Sequence, residues 1–171
     1  MTERGLVVAV IGDGDPQGPD AARTLRWAEE VGRLLAQGGA TVVTGGLGGV
    51  MEAASRGAQG AGGITIGILP GSDRSEANAY VSVVVATGLG VARNLVVVTA
   101  ADAVLAVGGR HGTLSEIGLA LRMGRQVVTL GSWRLESDQR ESGPQVHPSH
   151  DPREAAVLAL RLAADGPITS A

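Results

Sequence analysis

Residues 103–123 read AVLAVGGRHGTLSEIGLALRM and combine three local patterns that decide the fold. Ala103–Val107 is a short, wholly apolar run, which is typical of a strand buried on both faces. Gly108–Gly112 supplies a glycine-rich turn, and the apolar residues of Gly112–Met123 recur at helical spacing. A strand followed by a glycine loop and a helix is the unit that builds parallel sheets.

The same alternation of apolar runs and helical patterns extends along the chain. Strands are predicted at Leu6–Ile11, Thr41–Thr44, Ile64–Leu69, Tyr80–Ala86, Ala103–Val107 and Gln126–Leu130. Helices are predicted at Asp20–Gln37, Val50–Ala61, Val91–Ala100, Gly112–Met123 and over residues 151–165, where Asp151 is the N-cap. The valine run at 96–98 has strand propensity and opposes the third helix. Residues 136–150 are polar and turn-rich, so we expect a surface loop with one short strand near Val146.

Strands that are apolar throughout and alternate with helices predict an α/β fold. We expect one Rossmann-like domain over residues 1–171, with a doubly wound, mainly parallel sheet and helices on both faces. Ligands of such sheets bind at the carboxyl ends of the strands.

Composition excludes several classes of function. The net charge is −3 with scattered charges, which favours neither nucleic acid nor a membrane surface as partner. The sequence has no run long enough for a membrane helix and no signal-peptide pattern, so we expect a cytoplasmic protein. It contains no Cys, and all 14 basic residues are Arg, so neither a pyridoxal-phosphate Schiff base nor a Walker lysine is possible.

Glycine-rich loops follow three of the predicted strands, at positions 12–14, 45–49 and 108–112. Glycine allows close approach of the backbone, and a helix N-terminus offers free N–H groups to phosphate. We therefore predict a site for a small phosphorylated ligand formed by Gly12, Gly45, Gly46, Gly48, Gly49, Met51, Gly109, Arg110, His111, Gly112 and Thr113. The alternative is a set of tight turns that bind nothing. Asp13 and Asp15 would repel a phosphate, so the first loop either packs at the sheet edge or contacts ribose hydroxyls.

Glu116 and Arg93 are the candidate catalytic residues, and each has a simpler interpretation. Thr113-x-x-Glu116 has the spacing of a capping box, whereas a carboxylate beside a phosphate site serves as a general base or stabilises a cation. Arg93 is either a solvated surface residue or a bidentate partner of phosphate. Asp102 fits a turn residue or a helix-end acceptor. His147 and His150 are too few to indicate metal, so we expect neither a metal nor a resident cofactor.

These residues resemble a known group. GGLGGVMEAASRGA (Gly45–Ala58), GLGVARN (Gly88–Asn94), Asp102 and GGRHGTLSE (Gly108–Glu116) are similar to the Lonely Guy superfamily, long labelled "lysine decarboxylase-like". The similarity runs from about residue 6 to 131 and is closest to a bacterial Rossmann-like branch that includes molybdenum cofactor carrier proteins. The resemblance implies homodimers or higher homo-oligomers with sites near the subunit contact.

The resemblance also implies an activity: hydrolysis of the N-glycosidic bond of a nucleoside 5′-monophosphate, giving base and ribose 5-phosphate. Arg93 would position the substrate, and Glu116 would stabilise the oxocarbenium-like ribose or activate water. The group's PGGxGTxxE motif is altered here, since Gly108 replaces its Pro and Arg110 its second Gly. Val91 and Ala92 replace the His and Glu of its MHERK motif.

Two functions from different classes remain open at this point. The first is a phosphoribohydrolase. The second is a non-catalytic binding or carrier protein for a nucleotide or a molybdopterin-like phosphorylated cofactor. Redox chemistry with NAD is a distant third, because the first loop does not have the GxGxxG pattern.

Overall fold

The computed structural model describes residues 5–135 and 143–166, which form a seven-stranded parallel sheet with helices on both faces. The strands are β1 (Val7–Gly12), β2 (Thr41–Thr44), β3 (Thr65–Leu69), β4 (Val83–Ala86), β5 (Ala103–Val107), β6 (Gln126–Leu130) and β7 (Val146–Ser149). Their order across the sheet is β4-β3-β2-β1-β5-β6-β7, and each neighbouring pair is parallel. The predicted Rossmann-like fold is confirmed.

Five α-helices of the described residues cover the sheet. They are α1 (Ala21–Gln37), α2 (Val50–Gly60), α3 (Arg93–Thr99), α4 (His111–Arg122) and α5 (Pro152–Asp165). One buried cluster unites residues of α1, α2 and α5 with one face of the sheet, and a second unites α3 and α4 with the other. The sheet is therefore doubly wound, with three helices on one face and two on the other.

The apolar runs of the central strands are explained by this double coverage. In β5, Leu105 and Val107 belong to the first cluster, whereas Val104 and Ala106 belong to the second. Successive side chains of a strand point to opposite faces, so a strand covered on both faces needs apolar residues at every position. The continuous run that predicts a buried strand is the direct result.

Small residues let α1 and α2 pack closely together. A Cβ atom at Gly32 would overlap the carbonyl of Ala54, and one at Gly57 would overlap the carbonyl of Glu29. These two contacts bring the helix backbones together over the first cluster, and they account for two glycines in helix interiors, where glycine is otherwise unfavourable.

Several boundaries differ from the predicted ones. The strand predicted at Tyr80–Ala86 begins at Val83, and a 3-10 turn (Gly90–Ala92) precedes α3. The valines at 96–98 are helical because Val97 and Val98 are buried against the sheet, and this burial outweighs their strand propensity. The short strand predicted near Val146 is β7, so that part of the expected surface loop is an edge strand. Residues 136–142 of the expected loop lie outside the described residues.

Asp102 lies at the amino end of β5, on the opposite edge of the sheet from the glycine loops. Its Oδ2 accepts a hydrogen bond of 2.9 Å from the Val7 backbone N–H. The residue is buried and ties the start of β1 to the start of β5. It is a structural acceptor in the bend that precedes β5, as expected of a turn residue, and it does not line the cleft. No helix within residues 5–135 and 143–166 has the length and apolar composition needed to cross a membrane.

Candidate ligand-binding cleft

A cleft of about 300 Å³ lies at the carboxyl ends of β1 and β5, where the strand order reverses direction. Such switch points are the usual ligand sites of open α/β sheets. The residues lining it are Gly12, Asp13, Gly14, Met51, Arg93, Asn94, Arg110, Gly112, Thr113 and Glu116. Seven of the predicted site residues therefore meet in one cleft, although their sequence positions span more than 100 residues.

Arg93 is the most unusual residue of this cleft. Its side chain is only 9% exposed, although it opens α3. One terminal nitrogen, Nη1, donates to the backbone carbonyls of Gly45 (2.6 Å) and Ile68 (2.7 Å). Its Nε is buried and has no hydrogen-bond partner among the described residues. The alternative of a solvated surface arginine is wrong: Arg93 is a buried, anchored cation that lines the cleft.

Gly45 makes the position of Arg93 possible. A Cβ atom at residue 45 would overlap the guanidinium of Arg93 and lie 2.6 Å from the Met51 sulfur. The absence of a side chain therefore allows both Arg93 and Met51 to reach the cleft wall. Gly45 supports the site by its smallness and by its carbonyl, although it is not itself among the lining residues.

Glu116 faces the same cleft from α4. Burial raises the pKa of its carboxyl to about 7, and the positive charge of Arg93 opposes that rise. In the same way, burial lowers the pKa of Arg93, and the charge of Glu116 acts against this. At neutral pH the Glu116 carboxyl therefore exists in both protonation states, as a hydrogen-bond donor and as an anion.

The capping-box interpretation of Glu116 is wrong. Helix α4 begins at His111 with Arg110 at the N-cap, and no side chain caps it. Thr113 therefore lies inside the first turn, where its buried side chain packs against Gly109. Gly109 has a φ of 99° and leaves no space for a Cβ beside Thr113. The unpaired N–H groups of this first turn point toward the cleft end of α4.

Arg110 and Asp13 form an ion pair across the switch point. The Arg110 Nε lies 2.6 Å from Asp13 Oδ2, and its Nη2 donates to Oδ1 at 3.1 Å. The arginine is 70% exposed, whereas the aspartate side chain is only 13% exposed. The negative charge expected to repel a phosphate is thus paired, and the arginine expected to grip the ligand already has a partner.

The other predicted site residues surround the cleft without lining it. Gly46 packs on Gly67 and Leu69, and Gly49 packs on the backbone of Asp13 and Gly14. Gly48 lies beside the Gly14 carbonyl, and His111 is exposed with its ring 5.8 Å from that of Trp133. Ligand contact by Gly45, Gly46, Gly48, Gly49, Gly109 and His111 stays a prediction.

Three lining residues were not among the predicted ones: Asp13, Gly14 and Asn94. One feature of the sequence could have placed Asp13 in the cleft. Asp13 and Arg110 each follow a strand, and opposite charges on loops at the same edge of the sheet are well placed to pair. Among the described residues, no three His, Cys, Asp or Glu side chains group as a metal site would require. His147 instead shares a 3.0 Å hydrogen bond with the side chain of Gln126.

The fold and the cleft define the class of this protein: a Rossmann-like α/β protein with a buried arginine and a carboxyl group at the switch point of its sheet. More particularly, the chain belongs to the SLOG cluster4 family, which it matches over residues 5–156. It is 42% identical over 125 residues to an uncharacterized protein of Archaeoglobus fulgidus, a match that covers 73% of this chain and 80% of that protein.

The solved structures that are similar over nearly the full chain include a cofactor binding protein and a cofactor carrier. The molybdenum cofactor binding protein of Rippkaea orientalis superposes with a TM-score of 0.81 at 36% identity, covering 94% of this chain and 98% of that one. The Moco carrier protein of Chlamydomonas reinhardtii gives a TM-score of 0.81 at 33% identity, covering 95% and 99%. The resemblance is confirmed at the level of the SLOG superfamily, whereas membership of the Lonely Guy group itself stays a prediction.

Proposed function

We propose that this protein binds and carries a small phosphorylated ligand of the molybdenum cofactor type without consuming it. The observation that carries the proposal is Arg93, a cation held rigidly at the cleft wall with an unpaired Nε. Its support is the likeness to one molybdenum cofactor binding protein and one carrier protein over almost the entire chain.

The chemistry of the cleft suits a phosphate group. Arg93 supplies a charged donor, and the first turn of α4 supplies N–H groups and the positive end of its dipole. Gly112 leaves open space at that turn, since a Cβ there would meet no atom within 4 Å. A protonated Glu116 would add a further donor, whereas an ionised Glu116 would repel the phosphate.

Binding is tested with the cofactor released from a molybdoenzyme under anaerobic conditions and detected after gel filtration by pterin fluorescence. We expect the protein to retain the cofactor, and Arg93→Gln to reduce retention by about tenfold or more, the loss typical of a charged hydrogen bond. Arg122→Gln, an exposed arginine at the far end of α4, is the matched control. Equal retention by both variants would contradict the role of Arg93.

A phosphoribohydrolase is the second candidate, and Glu116 is the observation that favours it. A carboxyl with a pKa near 7 is matched to proton transfer at neutral pH. The test is a multiple-turnover assay on nucleoside 5′-monophosphates with free base measured by chromatography. Base release by the wild type that disappears in Glu116→Gln and persists in Glu154→Gln would establish catalysis and replace the carrier proposal.

We also propose that the predicted homo-oligomer forms through the β4–α3 side of the molecule. Five apolar side chains are exposed there: Val83, Val85, Leu89, Val91 and Leu95, with Val91 at 82% exposure. Exposed apolar groups of this density often mark an interface. Light scattering after gel filtration should show an oligomer that Val91→Asp dissociates and that Val157→Asp, at an exposed valine of α5, leaves intact. A monomeric wild type would exclude the interface.

A further inference from the structure

A second cavity adjoins the cleft on the far side of the Arg110–Asp13 ion pair. It measures about 230 Å³, its lining is predominantly polar, and Asp13 and Arg110 line both cavities. The remaining walls come from the loop before α1, the first turn of α1, the start of the Gly108–Gly112 loop and Gly131 after β6. The ion pair is therefore the partition between two lobes of one depression at the carboxyl edge of the sheet.

The two lobes differ in their chemistry. The cleft holds the buried Arg93, whereas the second lobe is lined by Asp13, Gln17, Asp20 and Thr24, all of which carry oxygen acceptors. An ionised carboxylate has about four acceptor sites, so Asp20 retains capacity beyond its 3.0 Å contact with Arg23. Because Asp13 and Arg110 border both lobes, the lobes differ in that the cleft has the buried cation Arg93, whereas the second lobe adds the acceptors of Gln17, Asp20 and Thr24. A phosphate therefore fits the cleft better, and a group rich in N–H donors finds partners in the second lobe.

We infer that the second lobe binds the heterocyclic end of the ligand, a 2-amino-4-oxopyrimidine ring of the kind shared by guanine and pterins, while the phosphate lies in the cleft. The inference rests on the proposed function. The cleft alone is at the lower limit of small-molecule sites, which span about 300–1,000 Å³, and the second lobe brings the whole site well inside that range. Arg110 and Asp13 lie between the two ends, so this pair sets how far apart they must be.

The probes are GMP, hydroxymethylpterin phosphate, IMP and ribose 5-phosphate, measured by calorimetry on the intact protein. IMP lacks the exocyclic amino group of GMP, and ribose 5-phosphate lacks the ring altogether. We expect GMP or the pterin phosphate to bind about tenfold more tightly than ribose 5-phosphate, with IMP in between, since one hydrogen bond changes affinity by roughly that factor. The comparison of GMP with the pterin phosphate distinguishes the two sources of the ring.

Two variants obstruct the second lobe only. Ala21→Trp fills it from the first turn of α1, and Gln17→Trp fills it from the loop. Ala22→Trp, at the exposed neighbouring position, is the matched control. Both obstructing variants should lower the affinity for the ring-bearing probes to that for ribose 5-phosphate, whose own binding stays unchanged. Circular dichroism verifies that each variant is folded.

The outcomes separate the inference from the function on which it rests. If ribose 5-phosphate and the ring-bearing probes bind equally well, or if both obstructing variants leave the preference intact, the second lobe is not a ring site while the phosphate cleft stands. If none of the four probes binds while the molybdenum cofactor is retained, the inference fails and the proposed function stands; if the cofactor is not retained either, both fail.

Discussion

The protonation of Glu116 makes a quantitative prediction about stability. A pKa of about 7 in place of the ordinary 4.5 means that the folded protein disfavours the ionised carboxyl by about 3 kcal/mol. Because the folded-state pKa is the higher one, the folded protein binds more protons than the unfolded chain between these two values. The contribution of Glu116 to the free energy of unfolding therefore falls as pH rises from 4.5 to 7 and stops changing above about pH 8.

Glu116→Gln removes the ionisable group and keeps the size of the side chain. Relative to wild type, the variant should gain up to about 3 kcal/mol of stability between pH 4.5 and pH 8.5, since the cost of the buried charge disappears. Glu116→Gln also removes the attraction between Glu116 and Arg93. The figure of about 3 kcal/mol already includes that attraction, because the charge of Arg93 keeps the pKa of Glu116 from rising further.

Urea unfolding at pH 4.5, 6, 7 and 8.5 measures this difference. Glu154→Gln, at an exposed position of α5, is the control and should show little dependence on pH. A constant stability difference between Glu116→Gln and wild type across the four pH values would refute the reasoning, because it would mean that the carboxyl titrates as it does in water.

Four further outcomes are expected. Sulfate, which does not titrate in this range, should bind more tightly at pH 6 than at pH 8, and Glu116→Gln should abolish the difference in calorimetry. Gly45→Ala should cost about 1–3 kcal/mol in urea unfolding, because it displaces Arg93. Arg110→Gln should cost less than about 1 kcal/mol, since the arginine is 70% exposed and solvent screens its attraction to Asp13. Gly32→Ala should destabilise by about 1–3 kcal/mol through overlap with α2, and unchanged urea midpoints would contradict either glycine argument.

The fold was predictable because its decisive features are local. Burial of β5 on both faces requires a run such as AVLAV, and each glycine loop follows its strand directly in the chain. The position of the cleft followed from the same pattern, since parallel strands bring their carboxyl ends to one edge of the sheet. The seven predicted residues that line the cleft come from four separate segments of the chain, which the parallel arrangement of the strands brings to the same edge of the sheet.

What the sequence did not predict depends on contacts between distant segments. The burial of Arg93 is set by carbonyls 25 and 48 residues away, so no local pattern separates it from a surface arginine. The predicted capping box is absent because α4 begins at His111, two residues before Thr113. Gly108 and Gly109 both adopt positive φ, and the chain turns into the helix at these two residues. From the first loop alone, Asp13 is expected to repel a phosphate. In the structure its charge is paired with that of Arg110, which lies 97 residues away in the chain.

The anchoring of Arg93 is the feature of this geometry that supports the proposed binding function. Its Nη1 is committed to the carbonyls after β2 and within β3, so the guanidinium is fixed in place by the same strand ends that form the sheet. The conformational entropy of a long charged side chain, about 1.5–2 kcal/mol, is therefore lost on folding rather than on binding. A lysine would have to reach both carbonyls and an anion from one nitrogen, whereas the planar guanidinium bonds both carbonyls through Nη1 and carries its remaining N–H groups on other nitrogens. An anion bound as proposed would thus meet an arginine that is already in place, and we expect the titration of Glu116 to control how strongly that anion is held.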